Sequence, residues 1–506
     1  MDKRIRLESG RLNRPGGSNP SRSAMENPRN RLLKPLLTYF VTIPVIGLVV
    51  FFKSIFETYG RLDDYTLVVE AINNTQHMRG AYLYSGRIFP SLLIDTVSLP
   101  LNGVSDLVYL RLLSLFAVSL AAVALAISAF VFLRGMEYQT RLIAGLLVGL
   151  TVFALPGSPN AVTWSILCLP LFAMSFALCG GLVIATSEGL PKFKFQLLAV
   201  SLVFLSAFTY QHWVMLSVVP VSFSFAYAWV SNRKLEIKKL LFVLVSCGIA
   251  LGSNYLFIRL LNSESTKRTF AKPITESLGW FFTVFLPRSI NLGIPDSKLW
   301  LTVSIVFACL ALVIPICLCR DFWVVSALTI IVWLGSSAVL IPTENWASYR
   351  LIFPSQIVFW SGCFFGLALS LGRQTNGIRT AGFIAMVCVV SLLLVQSGLS
   401  GYRYIAKPNA TDWTSVRCVL EKQNPDHPIN ALVSTENSDI QSSFISYDEY
   451  GVVGSSVQWV LPNMYLLTSL SKARVALDHP MPPVFPKWAA EGQEGNWISF
   501  PQTMCK

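Results

Sequence analysis

Residues 107–133 read LVYLRLLSLFAVSLAAVALAISAFVFL, a stretch whose one charge, Arg111, stands near its start. A bilayer core about 30 Å thick takes roughly 20 consecutive apolar residues in a helix, so this stretch reads as a membrane span. Runs of the same kind recur along most of the chain. Eleven spans are expected, near 36–53, 107–133, 142–157, 161–186, 195–210, 213–230, 240–261, 299–319, 323–342, 351–371 and 381–400. The composition agrees: of 506 residues, 53% are hydrophobic and 13% charged, which excludes disorder, collagen, coiled coil and a set of soluble domains. The expected fold class is an all-α polytopic membrane protein.

An odd number of spans puts the two ends of the chain on opposite sides. The loops after the even-numbered spans carry Arg134, Arg141, Lys192, Lys194, Arg233, Lys234, Lys238, Lys239, Arg320, Arg373 and Arg379, whereas the short loops on the other side carry only Arg350. Positive residues are retained in the cytoplasm, so the expected N-terminus is cytoplasmic and the C-terminus external. Residues 1–35 form a basic tail with scattered Gly, Pro and Ser, read as a disordered orienting segment beside anionic lipid. The net charge of +13 therefore calls for no nucleic acid. Residues 36–400 make the membrane domain, with two long external loops, 54–106 and 262–298. Residues 401–506 read as a small α/β domain on the external side, with a helix through Trp413 to Leu420 and a strand over Asn430 to Ser434. Eight cysteines lie in spans as small apolar fillers, while Cys418 and Cys505 stand in the external segment and are candidates for a disulfide.

The chemistry is sought in the external loops. Directly after the first span come Arg61-Leu62-Asp63-Asp64-Tyr65, and about twenty residues later Gly86-Arg87. Adjacent carboxylates raise each other's pKa unless a cation compensates, so the pair is a candidate for general-base or metal-binding work, against the alternative of a solvated acidic turn. Arg61, Arg79 and Arg87 flank it and suit an anionic phosphate substrate. Tyr210, Gln211 and His212 lie between the fifth and sixth spans, where a ring stacks on a sugar and an amide bonds its hydroxyls; the alternative is an interfacial aromatic belt. Arg350 at the mouth of the tenth span, and Arg288 after the apolar stretch from Leu278 to Leu286, are candidate phosphate contacts or snorkelling helix ends. That stretch is too short to span and reads as re-entrant or interfacial. Arg111 and Arg259 get the same two readings, and Glu344 and Asp296 are spare external carboxylates.

Asp63-Asp64 in the first external loop, Gly86-Arg87, Tyr210-Gln211, the many spans and the exported C-terminal segment resemble the GT-C type membrane glycosyltransferases, and among them the glucosyltransferases that modify bacterial O-antigen. The resemblance implies a multi-pass enzyme of the bacterial inner membrane, with its site at the periplasmic face. The reaction it implies transfers a hexosyl group, glucosyl in the nearest family, from a polyprenyl-phosphate donor to lipopolysaccharide O-antigen or another envelope glycan. Carried onto this chain, Asp63 or Asp64 is the base, and Arg87 contacts phosphate or sugar. A divalent metal, magnesium or manganese, held by Asp63 and Asp64 is left open, and the partners implied are the lipid-linked donor, the glycan acceptor, the bilayer and a candidate flippase.

Two other classes are weighed. A transporter or flippase would place ionisable residues inside its spans around a midplane site. Here charges gather at the external ends and loops instead. A lipid-linked glycan polymerase or ligase also uses external arginines, but has no need of an acidic pair directly after the first span. No glycine-rich phosphate loop followed by Lys-Ser or Lys-Thr occurs, so no ATP-driven engine is indicated.

Overall fold

The computed structural model describes residues 28–261, 273–293, 298–341 and 349–414, apart from positions 62, 74, 76, 188, 190, 191 and 412, together with 431–433 and 497–499. Helix α1 (Pro28–Phe56) already includes the last basic residues of the N-terminal tail. Three short helices follow outside the span, α2 (Asp63–Asn73), α3 (His77–Tyr84) and α4 (Ile88–Ser98). The bundle continues with α5 (Leu107–Phe132), α6 (Tyr138–Ala154), α7 (Gly157–Thr163), α8 (Phe172–Thr186), α9 (Phe193–Thr209), α10 (Val218–Val230) and α11 (Ile237–Leu261). Next, α12 (Ile274–Trp280) runs through a π-turn, Phe281–Phe285, into α13 (Leu286–Ile290), and α14 (Lys298–Leu318), α15 (Trp323–Ala338), α16 (Tyr349–Leu371) and α17 (Asn376–Ser400) complete it.

Among the described residues nine helices are long and apolar enough to cross a membrane, or ten if α6 and α7, bent by 73° at their junction, count as one span. The expected eleven is corrected on two counts. Helix α9 has 17 residues, about 26 Å at the usual rise, at the lower limit for a span. The expected third span, 142–157, is α6, also 17 residues long, and reaches span length only together with the bent α7; the expected fourth, 161–186, corresponds to the counted span Ser165–Thr186, whose regular α-helix begins at Phe172 after Pro156, Pro159 and Pro170. Residues 155–171 are buried throughout. Irregular backbone at membrane depth is tolerated where protein surrounds it.

Of the apolar stretch of α16, 94% is buried within the protein, and of α5 83%, against 22% for α14, so α5 and α16 form the axis and α14 the rim. Outward faces carry exposed apolar side chains, including Val245 and Leu256 on α11, Leu299 and Val306 on α14, and Leu392 and Leu399 on α17. Apolar surface so extensive is covered by lipid. The chain is a multi-pass membrane protein.

The expected strand near 430–434 corresponds to Ala431–Val433, which pairs in parallel with Trp497–Ser499. Of the expected helix over 413–420, Trp413 and Thr414 are helical and the rest lies outside the described residues, as do Cys418, Cys505, Asp296 and Glu344.

Candidate active site at one end of the bundle

The loop after α1 is held from three sides. Arg111, the one charge in the stretch that opens the reading of this fold, donates to the carbonyls of Ile55 (3.1 Å), Glu57 (2.7 Å) and Tyr59, and its guanidinium lies 3.7 Å from the Tyr59 ring centroid. It satisfies one carbonyl at the end of α1 and two in the loop after it, a structural duty rather than a phosphate contact or a snorkelling helix end. Asp64 is fully buried and turned away from the loop's mouth: Oδ1 accepts the Ile166 N–H at 3.0 Å, and Oδ2 accepts those of Arg61 (3.2 Å) and Ser165 (3.4 Å). The Ser165 and Ile166 donors belong to the interrupted stretch between α7 and α8, so Asp64 supplies acceptors that a regular helix would have supplied itself. Burial pushes the Asp64 carboxyl up to about 7, against the pull of Arg111, the two N–H groups and Arg61.

Asp63, the neighbour, is only half-buried. Burial raises its pKa as well, opposed first by Arg350, then by Arg87 and Arg61. These arginines come from three separate segments. Arg61 donates to Asn160 Oδ1 on α7 and lies over the Trp164 ring at 4.8 Å, and Arg350 reaches the same ring from α16 at 5.2 Å. Arg87 lies 4.4 Å from the centroid of Tyr210 and 6.0 Å from that of Tyr82. Planar guanidinium groups stack well on aromatic faces, which holds them in place while their N–H edges stay directed outward from the ring.

Gly86-Arg87 is fixed by two amides. Asn254 on α11 donates to Gly86 O at 2.7 Å, and Gln211 donates to Ser85 O at 2.6 Å and to Asn254 Oδ1 at 3.0 Å. Gly86 has φ +74°, and a Cβ there would stand 2.8 Å from Asn254 Oδ1 and 2.7 Å from Ile258, so glycine is required. Gln211 thus acts on the loop that carries Arg87. Trp213 Nε1 donates to Arg350 O at 3.1 Å and packs on Tyr210 at 5.0 Å, which links the two stacked arginines through residues 211–217. His212, beside Tyr210, lines a small cleft with room for about one water, together with Met215, Leu340, Leu351, Ser355 and Val358. A second, equally small cleft also touches Val358 and is lined by Phe223, Val325, Leu328, Thr329 and Phe365.

The site therefore gathers Asp63, Asp64, Arg87, Tyr210, Gln211, His212 and Arg350 at one end of the bundle, and adds Arg61, Asn160, Trp164 and Asn254. Two arginines stand elsewhere. Arg79 pairs with Asp95 at 3.3 Å, and Arg259 bonds Tyr255 at 2.9 Å on the exposed face of α11. Arg288 is half-buried in α13, whose register is set by Gln356, donating to Arg288 O and Asn291 O, both at 3.2 Å; it is not among the cations acting on Asp63. The segment from 274 to 290 is helical and short, as its sequence indicates. Of these four, Arg61 is marked in the sequence by its place beside the Asp pair and Asn254 is a polar amide inside an apolar run, while Asn160 and Trp164 carry no such signal.

This donor set does not fit a divalent metal. Both Asp64 oxygens accept backbone N–H groups, Asp63 faces three guanidinium groups, and among the described residues no group of three or more His, Cys, Asp or Glu side chains comes together.

The fold and site define a multi-pass membrane protein with a carboxylate set among stacked arginines at one end of its bundle. No protein-family model matches the chain, and no curated protein matches it. Among solved structures, the crystal structure of ArnT from Cupriavidus metallidurans bound to undecaprenyl phosphate is similar over 87% of this chain and 88% of that one, at 12% identity and a TM-score of 0.39.

Proposed function

We propose that this protein is a GT-C type hexosyltransferase of the bacterial inner membrane, taking a sugar from a polyprenyl-phosphate donor at the periplasmic face and passing it to an envelope glycan. The observation that carries the reading is Asp63, a half-buried carboxylate facing Arg350, Arg87 and Arg61 at the bundle end opposite the basic loops. A base and a phosphate grip are what inverting transfer from a lipid phosphate needs.

In the proposed reaction an acceptor hydroxyl loses its proton to Asp63 as its oxygen attacks the anomeric carbon. The bond from that carbon to the phosphate oxygen breaks, and the electron pair leaves with the lipid phosphate. Arg350 and Arg87 meet the charge that develops there. Asp64 acts at one remove, by holding residues 165 and 166 and hence Trp164, on which Arg61 and Arg350 rest. Tyr210 and His212 border the sugar side. Glucose as the sugar and O-antigen as the acceptor belong to the same proposal, through the family resemblance.

The test is transfer of labelled sugar from polyprenyl-phosphate donors into envelope glycan by membranes carrying equal amounts of wild-type, Asp63→Asn or Asp64→Asn chain. Asp63→Asn is expected to lose about a hundredfold or more of the rate, the usual range for a general base. Asn at 64 retains an acceptor oxygen for the Ile166 N–H, so a smaller loss is expected there. No transfer with any donor, or transfer indifferent to Asp63, would turn the reading toward a lipid-linked glycan polymerase or ligase, or a glycolipid transporter.

A further inference from the structure

Helix α17 does not stop at the membrane edge. It passes through a π-turn, Gly401–Ala406, and continues as helix over 407–411, and Trp413 and Thr414 are also helical. The π-turn adds a residue to one turn, so the face presented beyond it rotates by about 100° relative to an uninterrupted helix. Gly401 lets the turn come close to the core: a Cβ there would stand 3.2 Å from Pro159 Cβ and 3.3 Å from Ser54 Oγ.

From the end of that turn onward, the segment meets three tyrosines, each near a site residue in sequence. Ile405 is buried against Tyr349, the neighbour of Arg350. Ala406 and Ala410 pack on Tyr59, which lies two residues before Arg61 and beneath the Arg111 guanidinium. Trp413 lies against Tyr65, the neighbour of Asp64, with centroids 5.7 Å apart and planes at 32°. Tyr65 in turn accepts the Gly60 N–H at 3.2 Å, and its ring lies so close over Gly60 that a Cβ there would come within 2.6 Å. Nothing in the chemistry of a base and a phosphate grip requires these contacts. They clamp the loop that carries Arg61 and Asp63 to the start of the helix that carries Arg350.

We propose that residues 402–413 are a brace that sets the distance between the Asp63 loop and Arg350, with Trp413 as its positioning residue acting through Tyr65. The catalytic consequence rests on the transfer reaction proposed above; the mechanical one does not. A misplacement of about 1 Å can cost a hundredfold in rate, so removal of the indole should act on turnover more than on donor binding.

The experiment uses the full chain with Trp413→Ala, Trp413→Leu and Trp413→Phe, read by sugar transfer in membranes and by amide hydrogen exchange over residues 57–66 in purified protein. Trp413→Ala is expected to lower kcat about tenfold with donor KM changed less than twofold and to speed exchange over 57–66, while Trp413→Phe restores both. Should the alanine variant fail to insert, Trp413→Leu, which keeps apolar bulk but not the ring plane, is expected to show a smaller loss of the same kind. Wild-type kcat and wild-type exchange in the inserted variants would overturn the brace. Faster exchange in Trp413→Ala, in a protein whose wild-type form transfers no sugar from any donor, would uphold the brace and reject the transfer reaction. A rise in donor KM with unchanged kcat would also overturn the proposal, since it would put Trp413 in the binding surface.

Discussion

At the scale of single residues, two adjacent aspartates have different surroundings. Asp64 has its oxygens occupied by backbone donors, and Asp63 faces cations, so equal chemistry in the sequence becomes unequal chemistry in the fold. A base works only when ionised, and burial raises the Asp63 pKa above the ordinary carboxylate value near 4. Transfer is therefore expected to fall on acidification with a midpoint above about 4, measured as the pH dependence of kcat/KM. Arg350 is the strongest influence holding that pKa down, so Arg350→Ala should move the acid limb to higher pH. Arg350→Lys keeps the charge and should leave the limb in place while raising donor KM, because an ammonium cannot grip phosphate bidentately. For Asp64 the sign concerns stability: its folded pKa of about 7 exceeds the unfolded one, so the folded state binds more protons in the window between about 4 and 7. Its contribution is present in full below that window and lost as pH rises through it, and Asp64→Asn should flatten the thermal stability profile there. Gly86→Ala should displace Arg87 through Asn254 and raise donor KM, roughly tenfold for a strained φ worth one to two kcal/mol.

At the scale of elements, the chain's regular helices were legible and its interruptions were not. The apolar runs at 107–133, 240–261 and 351–371 correspond to α5, α11 and α16 within a few residues, because a span needs only length and apolarity to be seen. Residues 161–170 are as apolar as a span, and the periodicity of a short apolar run does not separate buried helix from buried irregular chain. Their backbone is instead tied by Asp64, by Tyr82 donating to Ile166 O at 2.5 Å, and by Gln356 accepting the Gly157 N–H at 3.2 Å. Each tie joins segments some 80 to 200 residues apart, which no local pattern reports. The same reason hid Asn160 and Trp164, whereas Asp63, Gly86-Arg87 and Tyr210 stood in loops where charge and turn chemistry show directly. Asn254→Leu tests the element-level claim. It leaves Gly86 O and the Gln211 side chain short of a buried partner, at about 1–3 kcal/mol, and should weaken donor binding while the bundle still inserts, checked by KM and by detergent-stable yield.

At the scale of the whole molecule, charge is sorted between the ends. Arg134, Lys192, Lys239, Arg320 and Arg373 stand in the loops at one end and the stacked arginines of the site at the other. If α9 and the bent pair α6–α7 both cross, a reporter fused after Lys506 should be active in the periplasm, and a cytoplasmic signal would mean that one of the two does not cross. The outer faces of α11, α14 and α17 are apolar, so in the proposed reaction a lipid-borne donor would approach within the bilayer.

The stacked arginines also bear on kinetics. In the proposed reaction the donor is a phosphodiester with one negative charge, and the spent carrier is a phosphomonoester that approaches two near neutral pH. Guanidinium groups held in place by Trp164 and Tyr210 cannot relax between the two forms, and they favour the more highly charged one. The spent carrier should therefore leave slowly and inhibit competitively against fresh donor, and the speed of the cycle in a living envelope would follow how quickly that carrier is reclaimed rather than how quickly the glycosidic bond is made.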